Sequence, residues 1–221
     1  FPNRDFKKYK RLRLRNSGQD YRGTMFRDGV NHRMLAEITD VEYQNFRPTL
    51  VYINGEYFGI QNLKDLYGGD YFDAFFDVKE EELDLIKNPR LGNDVKEGDD
   101  VHYNNLYSFV LNNSLTDQQN FDYFKTQFDI NNLLDYWISM TYMSSSDWPA
   151  NNLQVWRPKT PEGKWRHMYI DTDATTNIYG ANSPTGPSTD TYVNVLDPNQ
   201  EGWPYDSRST LFVRSLIENE S

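Results

Sequence analysis

Apolar and polar positions change period several times along the chain, and each change predicts an element. In KRLRLRN, residues 10–16, Leu12 and Leu14 alternate with Arg11, Arg13 and Arg15, the period of two of a half-buried strand. Three arginines on one strand face make the densest positive site in the chain; they serve either as a solvated sheet face or as a phosphate clamp, because a guanidinium matches phosphate bidentately. MFRDGVNHRMLAEI, residues 25–38, reads as a short helix with a break expected at Gly29 and Glu37 near its end. Within it, Arg27 and Asp28 are expected to form a local ion pair that holds the surrounding elements. In RPTLVYINGEYFGIQNL, residues 47–63, Asn54-Gly55 stands between alternating apolar runs, the strongest short-range hairpin signal.

Further along, KDLYGGDYFDAFFDV turns helical after its Gly-Gly break, LDLIKN is a short strand or helix end, and residues 88–100 read as a polar surface loop. Two helical runs follow, VHYNNLYSFVLNNS and NFDYFKTQF, with Thr116-Asp117 supplying cap chemistry for the second. The next helix places Ile130, Leu133, Leu134, Trp137, Ile138 and Thr141 on one expected buried face, with Asp129 as N-cap. It delivers the chain into SSDWPANN, residues 145–152. NLQVWRP and KWRHMYID then predict two strands joined by the turn PKTPEG. The segment from 174 to 206, rich in Gly, Pro, Ser and Thr, reads as a long ordered loop that is functional or partner-facing.

Composition narrows the classes. A formal net charge of −10 argues against a general nucleic-acid binder, since a polyanion does not attract an acidic surface. Cysteine is absent, which excludes disulfides and thiolate metal sites. No apolar run is long enough to span a bilayer, so membrane insertion is not expected. Aromatic residues make up 15% of the 221, including 16 Tyr, a content that suits broad polar recognition surfaces and an extracellular or cell-surface setting. Both ends of the sequence read as mid-domain, so a longer parent chain is expected. Oligomeric state is not legible.

SSDWPANN carries the chemistry. A proline alone would stop the preceding helix, so the Asp and the Asn need another reason. Asp147 precedes Asn152 by the spacing D-x-x-x-x-N, and a later acidic pair, Asp171 and Asp173, follows the second predicted strand. Metal-dependent phosphoryl transfer uses these groups: a carboxylate to face the attacking hydroxyl, and an amide oxygen with further carboxylates as the hard ligands that magnesium prefers. Asp171 to Asn182 lacks the Gly and the terminal Glu of an EF-hand. A glycan-processing reading, with Asp147 and the later pair as acid and nucleophile, leaves the spacing of Asn152 unexplained.

The order of FKKYKRLRLRNSGQD, MFRD, RPTLVYINGEYFGIQNLKD, FDINNLLDYWI, SSDWPANNLQVWR and KWRHMYIDTD resembles the CotH kinase-like family, named for a spore coat protein. The resemblance spans nearly the whole chain. It implies an α+β, atypical protein-kinase-like bilobal fold within one domain, with a β-rich small lobe over 1–66 and a mainly helical lobe over 67–221 that holds a catalytic β-hairpin. It also implies a secreted or surface kinase that uses ATP and Mg2+ or Mn2+ to phosphorylate Ser or Thr of protein substrates. Asp147 and Asp173 would then be catalytic, Asn152, Asp171 and Asp173 metal ligands, and Arg13, Arg15 or Lys64 the phosphate contacts. Gln61 to Leu63 would pass the adenine. Asp173 is followed by Ala174-Thr175 where the family often has D-F-G, NLKD stands where it often has L-R-E, and neither a Walker A motif nor G-x-G-x-x-G is present. Some relatives act as surface ligands, so a catalytically decayed binding or adhesion module on the same fold is the second reading.

Overall fold

The structure is a computed structural model that describes residues 1, 9–89, 93–176, 178, 191–200 and 206–219. Among them, two antiparallel sheets and seven α-helices form an α+β architecture. The first sheet has the order β1-β3-β2, with β1 at Leu12–Arg15, β2 at Phe46–Ile53 and β3 at Glu56–Asp65; α1, Arg27–Ala36, lies between β1 and β2 in the chain. Asn54 at φ 53° and Gly55 at φ 85° turn β2 into β3, the double left-handed conformation that a two-residue hairpin requires.

Strand β1 has the expected alternation, but Leu12 and Leu14 are the exposed side, at 41% and 54%, and Arg13 and Arg15 the half-buried one. The physical reason is the neighbour: the sheltered face of β1 meets carboxylates instead of an apolar core. Helix α1 runs unbroken through Gly29, where a Cβ would stand 2.2 Å from the Phe46 ring, so the missing side chain lets the helix lie against β2. Arg27 and Asp28 do not pair with each other. Arg27 turns to Asp20 and to the Thr175 carbonyl, and Asp28 turns to Lys64.

The second sheet has the order β5-β4-β6-β7, from Asp94–Glu97, Leu83–Lys87, Gln154–Pro158 and Arg166–His167. Strand β5 falls inside the segment expected to be a loop. It is a four-residue edge strand with mostly exposed side chains, so it has no apolar face to betray it. Helices α2 (Gly69–Phe76), α3 (Val101–Asn112), α4 (Gln118–Gln127), α5 (Ile130–Tyr142), α6 (Thr191–Leu196) and α7 (Leu211–Ile217) complete the described fold. Asp117 caps α4 by accepting the Gln119 and Asn120 amides, and Asp129 caps α5 by accepting that of Asn132.

The main core gathers α3, α4, α5 and α7 against β6 and Trp165, and a smaller one packs α2 on β4 and Trp156. Helix α5 buries Leu133, Tyr136, Trp137 and Met140, while Ile138 is 66% exposed, so its inner face is turned from the expected one. Tyr136 goes inward because its ring stacks on His167 at 4.3 Å and 12°. Each such large side chain, fully buried, contributes about 1.5–3 kcal/mol. The segment read as a loop from 174 to 206 contains α6; residues 177, 179–190 and 201–205 lie outside the described residues. No helix of the described residues is long and apolar enough to cross a membrane.

Candidate functional site

The C-terminal end of α5 feeds a loop, residues 143–153, whose shape comes from buried aromatics. Trp148 is fully buried, its ring lies 4.6 Å from that of Trp137, and its indole N–H donates to the Tyr136 hydroxyl at 3.0 Å. The Trp148-Pro149 peptide bond is cis. Tyr136 in turn donates to the Asn152 carbonyl at 3.4 Å. Asn152 adopts φ 54°, a left-handed conformation that Asn tolerates better than most residues. Thus anchored, its amide N–H donates to Oδ2 of Asp147 at 2.6 Å. The side-chain carbonyl oxygen of Asn152 is buried and has no partner among the described residues. An unpartnered buried acceptor is costly, and beside Asp147 this oxygen is free to serve a ligand.

The strand pair after Asn152 brings the second acidic group back. Asp171 takes a left-handed conformation at φ 53°, and Thr172–Ala174 form one 3-10 turn. Two elements fix this turn. The loop holding Asp147 reaches it through the Ser146 backbone N–H and hydroxyl, which both donate to the Ala174 carbonyl, at 2.8 and 2.9 Å. From the other side α1 holds it, with the Thr172 N–H donating to Oδ1 of Asp28 at 2.9 Å and Asn31 donating to the Thr172 carbonyl at 3.0 Å.

Arg15 of β1 then joins the cluster. Its Nη2 donates to Oδ1 of Asp171 and, at 2.9 Å, to Oδ2 of Asp173, which also accepts the Gln19 backbone N–H at 2.6 Å. Gly18 is needed here: at φ +56°, a Cβ would lie 1.9 Å from Oδ2 of Asp173.

Lys64 lies behind this layer, almost fully buried, and its ammonium donates to Oδ2 of Asp28. His32 completes the support. Its Nδ1 accepts the Gln44 N–H at 2.9 Å, which places the ring proton on Nε2, 3.3 Å from Oδ1 of Asp28. Burial alone would push the Asp28 carboxyl up, but Lys64 and His32 outweigh it and hold the group well below the usual carboxylate range. Burial and the Lys64 charge keep His32 below its ordinary value.

The acids toward the centre behave in the opposite way. Burial, reinforced by the charges of Asp171 and Asp173, pushes Asp147 up to about 7. Burial and Asp171 push Asp173 up to about 6, with Arg15 pulling against them. A carboxyl group that titrates near neutrality, beside two carboxylates that share the single charge of Arg15, is suited to take a proton from a hydroxyl and to attract a cation.

Of the residues singled out in the sequence, Asp147, Asn152, Asp171, Asp173 and Arg15 come together. Lys64 supports the turn through Asp28 and Thr172, and Arg13 lies directly opposite Lys64 on the same sheet face. Asp28, His32, Asn31 and the Gly18-Gln19 backbone were missed, because their roles arise from contacts across the fold that no local pattern announces. Among the described residues no three His, Asp or Glu side chains form a metal cage by themselves. The donor set of a divalent ion is nevertheless present in kind: two carboxylates and the unpartnered carbonyl of Asn152, all oxygen, as a hard cation requires.

A family model described as CotH kinase protein matches residues 1–221, the whole chain. No curated protein matches it.

Proposed function

Because the chain belongs to the CotH kinase family along its entire length, we propose that it is an atypical, bilobal protein kinase. It transfers the γ-phosphoryl group of ATP to Ser or Thr hydroxyls of secreted or surface proteins. The observation that carries this reading is Asn152: its side-chain N–H holds Asp147 while its side-chain oxygen Oδ1 is buried without a partner. Asn152, Asp171 and Asp173 would hold Mg2+ or Mn2+. When bound, that ion supplies positive charge against the charge developing between the β- and γ-phosphates.

The protein's own residues do the rest. Asp147 accepts the proton of the substrate hydroxyl as its oxygen bonds to the γ-phosphorus; the bond from that phosphorus to the β,γ-bridging oxygen breaks, and ADP leaves. Asn152 and Ser145 orient the carboxylate, with the Ser145 hydroxyl 3.4 Å from Oδ1. Arg13 faces the phosphates from one side of the first sheet, and Lys64, buried beside it, acts through Asp28 on the turn that carries Asp173. Leu50 and Ile60, directly paired and 61% and 41% exposed, offer an apolar shelf on that same face for the adenine.

One observation favours the second reading, a surface binding module: Arg15 already engages both Asp171 and Asp173. Transfer of label from γ-radiolabelled ATP to Ser/Thr peptides separates the two. A kinase incorporates label in Mg2+ or Mn2+, and Asp147→Asn reduces it by about two to four orders of magnitude, the range a positioned general base supplies. No incorporation by wild-type protein across a broad peptide panel refutes the kinase and leaves the binding module.

A further inference from the structure

Arg15 is a cation already seated among the carboxylates, with a side chain only 16% exposed. It engages each of them through one oxygen: Oδ1 of Asp171 and Oδ2 of Asp173. The latter also accepts the Gln19 N–H, so it has two donors. No N–H or hydroxyl of the described residues donates to Oδ2 of Asp171 or Oδ1 of Asp173. Apart from the contact between the two carboxyl groups themselves, each acid therefore presents one oxygen held by Arg15 and one that Arg15 leaves free. The backbone at Gly18 lies against the pair, where a Cβ would be 2.4 Å from Nη2 of Arg15, and this limits rotation of either partner. The remaining donor, Asn152, has a single carbonyl oxygen by its chemistry, and that oxygen is buried without a partner.

Divalent ions use such donors differently. Mg2+ demands near-octahedral geometry, keeps several waters and takes one oxygen from each carboxylate, whereas Ca2+ gathers about six to eight oxygens and readily takes both oxygens of one carboxylate. Taking the proposed divalent-ion site as its premise, we propose that Arg15 is a selectivity residue. By occupying one oxygen of Asp171 and one of Asp173, it confines both acids to single-oxygen ligation and favours Mg2+ or Mn2+ over Ca2+. Its charge acts in the same direction, because it cancels part of the negative field on which a many-oxygen site depends.

The test uses metal alone, with no nucleotide. Bound Mn2+ is measured by electron paramagnetic resonance, which counts the free ion, and is then displaced with Mg2+ or Ca2+. Wild-type protein releases Mn2+ to Mg2+ at lower concentration than to Ca2+. In Arg15→Gln, Ca2+ gains on Mg2+ by about tenfold or more, the scale on which partners of metal ligands tune affinity. Arg15→Lys, which keeps the charge but shortens the reach to the two acids, gives an intermediate ratio and serves if the Gln variant does not fold. A ratio unchanged from wild type, in whichever variant folds, overturns the selectivity role and leaves the proposed kinase site standing. Mn2+ that fails to bind wild-type protein, or binds undiminished after Asp173→Ala, overturns both.

Discussion

The buried pair of Lys64 and Asp28 should behave as one energetic unit, and its removal in halves should cost more than its removal whole. Side-chain exposure is 2% for Lys64 and 7% for Asp28, so water can replace neither partner. Asp28→Asn keeps the volume and the contact with the Thr172 N–H but strands the ammonium of Lys64. Removing one member of a buried ion pair costs about 3–5 kcal/mol. Lys64→Met strands Asp28 less severely, because the carboxylate still accepts from the Thr172 N–H at 2.9 Å and faces His32 Nε2 at 3.3 Å. Its cost should be nearer 2 kcal/mol, roughly the worth of a hydrogen bond to a charged group.

The double variant leaves no buried charge unpaired. Replacement of a buried pair by neutral groups of similar size is often close to neutral, so the double should lie within about 1 kcal/mol of wild type, a coupling of several kcal/mol. Urea unfolding of the four proteins measures this. Single-variant costs that add in the double to within about 0.5 kcal/mol would mean that Lys64 and Asp28 do not act as a pair. The same set separates fold from function: the double variant, stable but without the charged pair behind the Thr172–Ala174 turn, should bind ATP more weakly.

Other outcomes follow from the same geometry. His167, whose ring Nε2 accepts the Trp137 indole N–H at 3.3 Å, is pushed by burial down to about 3. The unfolded chain then binds a proton that the folded one refuses, so stability is lost as pH falls below the unfolded value of about 6.5. The slope is about 1.4 kcal/mol per pH unit for this residue. Urea melts from pH 7 to 5 should show it, and His167→Gln should flatten the slope by that amount. Gly18→Ala places a methyl group against Asp173 and Arg15 at a positive φ; it should lose about 1–2 kcal/mol for the left-handed backbone alone and weaken ATP binding. Asp147→Asn, which cuts label transfer by about two to four orders of magnitude, should change ATP affinity, read by calorimetry, less than about threefold, since the carboxylate faces the hydroxyl and not the nucleotide.

Local features were legible in the sequence and non-local ones were not. Asn54-Gly55 and the Asp117 and Asp129 caps depend only on residues within a turn of themselves, so their chemistry could be read directly. The Asp147 to Asn152 spacing was legible for the same reason, and the two side chains do meet. Alternation in β1 gave the period without the face, because which side is sheltered depends on Asp171 and Asp173, far along the chain. Helix α5 turned its inner face toward Tyr136 and Met140 because β7 and Trp148 supply partners that apolar spacing on α5 alone does not reveal. Asp28 looked like half of a local pair with Arg27; its local partner is instead His32, one helical turn on, and Lys64 and Thr172 are 36 and 144 residues away.

A metal-dependent nucleotide site built on Asn152 and Asp173 ties ATP binding to the ion. A thermal-shift titration with ATP, with and without Mg2+ or Mn2+, on wild-type protein and Asp173→Ala, tests it most directly. A ligand at about a hundred times its dissociation constant stabilises the folded state by about 2.7 kcal/mol, which for a chain of this size raises Tm by about 5–10 °C. That rise is expected in the wild type only when metal is present, and its loss in the variant. A shift that ignores the metal or survives Asp173→Ala would contradict it, as would no shift at millimolar ATP.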